Sequence, residues 1–207
     1  NSISANPAFY SGTDLHLYAP YLDSTGTSLA SVTTDIDGEP RDPGRPDIGA
    51  DEFAIAQLNL NQGWNMVSVP VVVFDFQTVS VFPGVTTSVF AYQNGSYAAQ
   101  SILANKLGYW VKYGGASVVS MTGGPTTPDT FDVALGWNLI GSVNNPVPVS
   151  SIISIPGGLI TSSFFEYNIS YVAAVTIQPG KAYWVKTTGS GSLILSPANN
   201  APSANHI

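Results

Sequence analysis

The sequence predicts an all-β protein built around two homologous small β-sandwich or barrel domains, and three observations carry that prediction. The first is an internal repeat. Gly63-Trp64-Asn65-Met66-Val67 returns as Gly136-Trp137-Asn138-Leu139-Ile140, Phe82-Pro83-Gly84 as Ile155-Pro156-Gly157, Ser96-Tyr97 as Ser170-Tyr171, and Tyr109-Trp110-Val111-Lys112 as Tyr183-Trp184-Val185-Lys186, at offsets of 73 or 74. The second is alternation of apolar and polar residues, rich in β-branched and aromatic types and punctuated by Gly, Pro or Asn-Gly. The third is composition: only 9% of residues are charged, against roughly 25% in an average soluble domain. Ser, Thr, Asn and Gly therefore do most of the solvating, a habit of secreted and cell-surface β proteins.

The elements follow in chain order. Residues 1–53 are acidic, Pro-rich and turn-rich, with a short strand expected near Asp14-Leu15-His16-Leu17. The first β unit, residues 57–124, opens with a strand at the Gly-Trp-Asn motif. Val67 to Phe74, broken by Ser68 and Pro70, reads as a buried strand. Asn94-Gly95, between Val89-Phe90-Ala91-Tyr92 and Tyr97-Ala98-Ala99, is a strong two-residue hairpin signal. Its counterpart Asn168-Ile169 keeps the Asn and loses the Gly. A strand through Tyr-Trp-Val-Lys and a last strand (Ser117 to Met121; Ser192 to Leu195) complete each unit, with about five strands per unit and no convincing helix. Gly123 to Pro128 reads as the linker to the second unit, residues 130–197, and residues 198–207 as a flexible polar tail without Lys, Arg, Asp or Glu.

The net charge of -7 sits in one place. Residues 1–53 hold nine acids and two bases, and the remainder is balanced. No basic surface for nucleic acid is present, so nucleic-acid binding is excluded as a function class. No apolar run approaches the ~20 residues that span a bilayer. The chain has no cysteine, hence no disulfide or thiolate metal site. It starts with neither Met nor an apolar leader, and Asn1 reads as an internal start.

Two resemblances arise. Asn6-Pro7-Ala8-Phe9 with Asp14-Leu15-His16-Leu17, then Thr34-Asp35-Ile36-Asp37-Gly38-Glu39-Pro40-Arg41 and Pro46-Asp47-Ile48-Gly49-Ala50-Asp51-Glu52-Phe53, closely resemble the carboxyl-terminal end of right-handed parallel β-helix proteins of bacterial surfaces. The resemblance implies a last rung and capping loop over residues 1–53. The paired Gly-Trp-Asn and Tyr-Trp-Val units look like modules that follow such solenoids in secreted or surface-anchored proteins. Together they imply an all-β chain with a β-helix-type terminal cap ahead of the two units. The solenoid itself is missing from this sequence, so the resemblance does not extend to the polysaccharide-cleaving activity a β-helix can carry.

The densest polar cluster is Asp35, Asp37, Glu39, Asp42, Asp47 and Asp51, with Glu52 beside it, in a Gly- and Pro-rich loop. Carboxylates brought together repel, and Ca²⁺ with oxygen ligands is a common remedy, which makes Ca²⁺ the candidate cofactor. The competing reading has Arg41 and Arg45 pairing with these acids while the Asp residues cap turns. A glycosidase needs two carboxyls at a defined separation, and nothing selects such a pair here. The two histidines, His16 and His206, have no zinc spacing, and no Gly-x-Ser-x-Gly elbow exists, so the chain reads as no enzyme.

Trp64, Trp110, Trp137 and Trp184, with Tyr109 and Tyr183, either supply the core or form a platform for sugar rings; recurrence within a strand pattern favours core. Asn94 and Asn168 head N-glycosylation sequons at equivalent hairpin tips. Lys112 and Lys186 are expected on the outward side of their strands. The expected function is a non-catalytic, extracellular structural module. Its partners would be copies of itself, joined by β-strand complementation into oligomers or filaments, or the rest of a larger surface protein. A carbohydrate-binding or adhesive module with glycan partners is the alternative.

Overall fold

The computed structural model describes residues 22, 24–36, 40–52, 54–126 and 129–196, and the chain is all-β. The first unit runs β1 (Ala54–Leu60), β2 (Gly63–Ser68), β3 (Val71–Val72), a one-turn helix α1 (Thr78–Val81), β4 (Val89–Gln93), β5 (Ser96–Gln100), β6 (Gly108–Tyr113) and β7 (Ser117–Pro125). The second runs β8 (Thr130–Val133), β9 (Gly136–Ile140), β10 (Val147–Pro148), a 3-10 turn over Val149–Ser151, β11 (Ile153–Ile155), β12 (Phe164–Asn168), β13 (Ser170–Ala174), β14 (Thr176–Ile177), β15 (Tyr183–Thr187) and β16 (Gly191–Ile194).

Each unit has a four-stranded antiparallel sheet, β2-β6-β4-β5 or β9-β15-β12-β13, and a three-stranded one, β1-β7-β3 or β8-β16-β11. In the first unit Leu58, Val119 and Met121 meet Val67, Val89, Tyr109 and Val111 in one buried cluster. Phe131, Leu193, Phe164, Tyr183 and Val185 do the same in the second. The sheets stay open, so the barrel half of the expectation is not realised.

The Gly-Trp-Asn motif is explained by the turn it closes. Gly63 and Gly136 sit at φ +93° and +95°, where a side chain would be strained. Two residues on, the Asn65 amide accepts from the Asn61 N–H (2.9 Å) and donates to the Asn61 and Gly63 carbonyls. Asn138 repeats this with Ala134 and Gly136. The motif thus fixes the step from β1 to β2 and from β8 to β9, strands β1 and β8 having escaped the sequence reading.

Three further expectations change. The stretch read as a linker is strand as far as Pro125: β7 continues and pairs Val71 with Pro125 and Val72 with Gly124. A Cβ at Gly123 would stand 2.2 Å from the Val72 carbonyl oxygen, which is why glycine occupies that position. Short helical turns occur at Thr78–Val81 and Val149–Ser151 where none was expected, the first held by Asp75, whose carboxylate accepts from the Gln77 N–H and the Ser80 hydroxyl. The second hairpin is one residue tighter than the first: Tyr167 faces Tyr171, where Tyr92 faces Tyr97. Ile169 takes the left-handed φ of +66° there, the role shared by Asn94 and Gly95 in the first unit.

The two units dock about a pseudo-two-fold axis. The Ser68 N–H donates to the Gly180 carbonyl and, by symmetry, the Gly141 N–H to that of Lys106, at 2.7 and 2.8 Å. At the centre the buried Ser142 and Ser68 hydroxyls lie 2.9 Å apart, Ser68 donates onward to the Lys181 carbonyl, and Ser142 accepts from the Gly180 N–H. Both buried hydroxyls have hydrogen-bond partners, as burial requires. Met66, Leu139 and Ala182 form the apolar part of the seam. A Cβ on Gly108 would meet Leu139 Cγ at 2.6 Å and Ala182 Cβ at 2.8 Å, so contact this close demands glycine.

Candidate functional site

Alternation along β6 and β15 sorts the repeated aromatic residues onto two faces. Tyr109 and Tyr183 point inward and are 1% and 0% exposed. The Tyr109 hydroxyl accepts from the Ala104 N–H (2.7 Å) and donates to the Ala104 carbonyl; the Tyr183 hydroxyl accepts from the Gln178 N–H (2.8 Å). Burial pushes the Tyr109 phenol up to about 12 and raises that of Tyr183 further. These tyrosines are the core anchors of their units.

The tryptophans lie on the opposite face, which corrects the expectation that they are core. Trp64 and Trp137 are 40% and 45% exposed, and Trp110 and Trp184 are half-buried. The physical reason is the two-residue period: Trp110 shares its face with exposed Lys112, and Trp184 with Lys186. The ammonium groups of Lys112 and Lys186 stand 5.7 and 6.0 Å from the Trp64 and Trp137 ring centres, at cation–π range.

Docking brings these outer faces together into two clefts related by the repeat. The first, 410 Å³, is lined by Trp64, Phe90, Tyr97 and Trp110 of the first unit and Tyr167 of the second. The second, 420 Å³, is lined by Trp137, Phe165, Tyr171 and Trp184 with Tyr92 of the first unit. Trp64 stands edge-on to Trp110 at 6.3 Å and 87°, and Trp137 to Trp184 at 6.3 Å and 88°. The cross-unit pairs, Trp110 with Tyr167 at 4.9 Å and Tyr92 with Trp184 at 4.8 Å, match as closely. Neither unit supplies a whole cleft. Sequence reasoning had the four tryptophans and missed Phe90, Tyr92, Tyr97 and their counterparts, although Phe-x-Tyr before each hairpin tip was a visible signal.

Chemically the clefts offer flat apolar rings, phenol hydroxyls and neighbouring ammonium groups. Partial burial raises the Tyr97 phenol above its ordinary value, so it remains a neutral donor and acceptor. Among the described residues no carboxylate or imidazole lines either cleft. The arrangement can stack and hydrogen-bond a ligand.

The acidic loop is organised differently. Asp37 and Glu39 lie outside the described residues, as do His16, His206 and the tail from 198 to 207. Asp42 accepts from the Arg45 and Gly44 N–H groups, which hold its carboxyl below the usual range. Glu52 pairs with Arg41 at 3.2 Å and accepts from the Asp42 and Asp47 N–H groups. The Arg41 guanidinium also donates to the Asp47, Gly49 and Asp51 carbonyls. Asp47 and Asp51 are buried in this network, while Asp35 accepts from the Glu52 N–H. No three His, Asp or Glu side chains converge among the described residues in a way that could hold a metal. Asn94 and Asn168 are exposed at their hairpin tips.

No family model, curated protein or solved structure matches the chain. No helix among the described residues is long and apolar enough to cross a membrane.

Proposed function

We propose that this chain is a non-catalytic, extracellular module of a larger secreted or surface protein, and that its paired aromatic clefts bind carbohydrate. The observation that carries this reading is the duplication of a partly exposed, five-ring cleft. Large aromatic residues left in water cost stability that burial would supply, and here the same set is kept at the surface twice. Sugar rings present flat C–H faces that stack on such platforms, with hydroxyls at the edge for tyrosine and lysine to meet. Two sites on one rigid body also favour a polymer displaying repeated epitopes, through avidity. Titration of tryptophan fluorescence with an oligosaccharide panel tests this. Saturable quenching or a blue shift is expected, halved in amplitude in Trp64→Ala and in Trp137→Ala; a flat signal throughout would sink the reading.

A second reading, assembly with copies of itself, is favoured by the sheet edges. β5 and β13 close one side of each four-stranded sheet, are exposed along most of their length, and carry neither charge nor proline. Such edges are templates for strand addition. Ala98→Lys with Val172→Lys would dissolve any oligomer seen by light scattering. Under either reading residues 1–53 serve as the cap that joins the module to a preceding β-helix.

A further inference from the structure

We infer that the two clefts are unequal, and that the first extends past Tyr167 into an amide-lined groove that takes an extended, neutral pyranose chain. This rests on the carbohydrate reading above and narrows it to a class of ligand. A groove of 660 Å³ runs between β1 and the second unit, and Tyr167 lines both it and the first cleft. Its polar wall carries Gln57, Asn59, Asn61, Asn144 and Gln178, together with the Lys181–Glu166 ion pair at 2.7 Å.

Three features point to a sugar chain. First, among the described residues nothing takes up the side-chain amides of Gln57, Asn59, Asn61, Asn144 and Gln178, in contrast to Asn65, whose amide bridges its own turn. Each free amide offers donors and an acceptor together, which matches hydroxyls that also do both. A proline-rich strand, the other ligand suited to aromatic grooves, lacks an N–H at each proline and would leave the amide oxygens unmet. Second, among the described residues the charged groups of the wall are Glu166 and Lys181, which neutralise each other and favour a neutral ligand over uronic acids or sulfated sugars. Third, the twin surface is built otherwise: at the repeat-equivalent positions Asn59 becomes Asp132, Asn61 becomes Ala134, and Glu166 and Lys181 become Ala91 and Leu107. The amide wall therefore belongs to one cleft of the pair.

The test is calorimetry of the full chain with cello-, xylo- and manno-oligosaccharides of increasing length. For the series that binds, the disaccharide should occupy both clefts with similar affinity. The hexasaccharide should bind one site about tenfold tighter, the gain expected from a few amide hydrogen bonds. Gln57→Ala with Asn59→Ala should bring the hexasaccharide down to disaccharide affinity, while Asp132→Asn in the twin position should leave the difference in place. Binding that ignores chain length and the double substitution would overturn the groove and leave the clefts standing. Failure of all three series, or saturable binding of decaproline in their place, would overturn both the groove and the carbohydrate reading.

Discussion

The two units share the tyrosine anchors and turn clips of their cores and differ where they meet each other. Tyr109 and Tyr183, Asn65 and Asn138, and Gly63 and Gly136 do the same work at the same places. Along the seam, by contrast, Gly108 stands opposite Ala182, and the Glu166–Lys181 pair has Ala91 and Leu107 as its equivalents. Duplicated positions thus specify how one unit folds. The unduplicated ones specify how two units become one body with two clefts of different surroundings.

The seam is where the comparison breaks most readily. Gly108→Val would drive a side chain into Leu139, Ala182 and the Ile140 carbonyl, and overpacking of this kind should cost about 3 kcal/mol. The equivalent change on the other side, Ala182→Gly, removes one buried methyl and should cost about 1 kcal/mol. Chemical denaturation would measure both. Near-UV circular dichroism should register loss of the tyrosine–tryptophan contacts in Gly108→Val alone.

Next in size are the turn clips. Asn65→Ala and Asn138→Ala each remove the amide that bridges a turn, and each should cost about 1.5 kcal/mol. A large inequality between them would mean that the units are not energetically alike.

The buried phenols sharpen the comparison within one unit. Tyr109→Phe loses two hydrogen bonds to Ala104 and should cost about 1 kcal/mol. Tyr113→Phe should be neutral or stabilising, because its buried hydroxyl has no hydrogen-bond partner among the described residues. The folded-state phenol of Tyr109 is raised by burial to about 12 from an ordinary 10. Its contribution is therefore complete below pH 10 and is lost as the pH climbs from 10 towards 12. Alkaline unfolding followed by absorbance should shift to higher pH in Tyr109→Phe. The smallest effect is at the second hairpin: Ile169→Gly relieves a left-handed β-branched residue and should stabilise by about 0.5 kcal/mol.

Much of this architecture was legible. Hairpin tips, the strand through Tyr-Trp-Val-Lys and the duplication followed from period, turn chemistry and spacing. The faces of the tryptophans were legible too, because placing Lys112 outward obliges Trp110, two residues earlier, to point outward. Recurrence within a strand pattern pointed to the core instead. The seam was not legible: Ser68, Ser142 and Gly180 look like ordinary turn residues until docking surrounds them, and long-range contact leaves no local pattern. The cross-unit role of Tyr92 and Tyr167 was hidden for the same reason. β1 and β8 were missed because their partner strands, β7 and β16, lie far along the chain.

The central claim is that each cleft is completed by a tyrosine from the other unit. Calorimetric stoichiometry with a binding oligosaccharide tests it most directly, in the wild-type chain and in Tyr167→Ala and Tyr92→Ala. Two sites in the wild type and one in each variant is the predicted result. A single site in the wild type, or two sites undisturbed by either substitution, would contradict it.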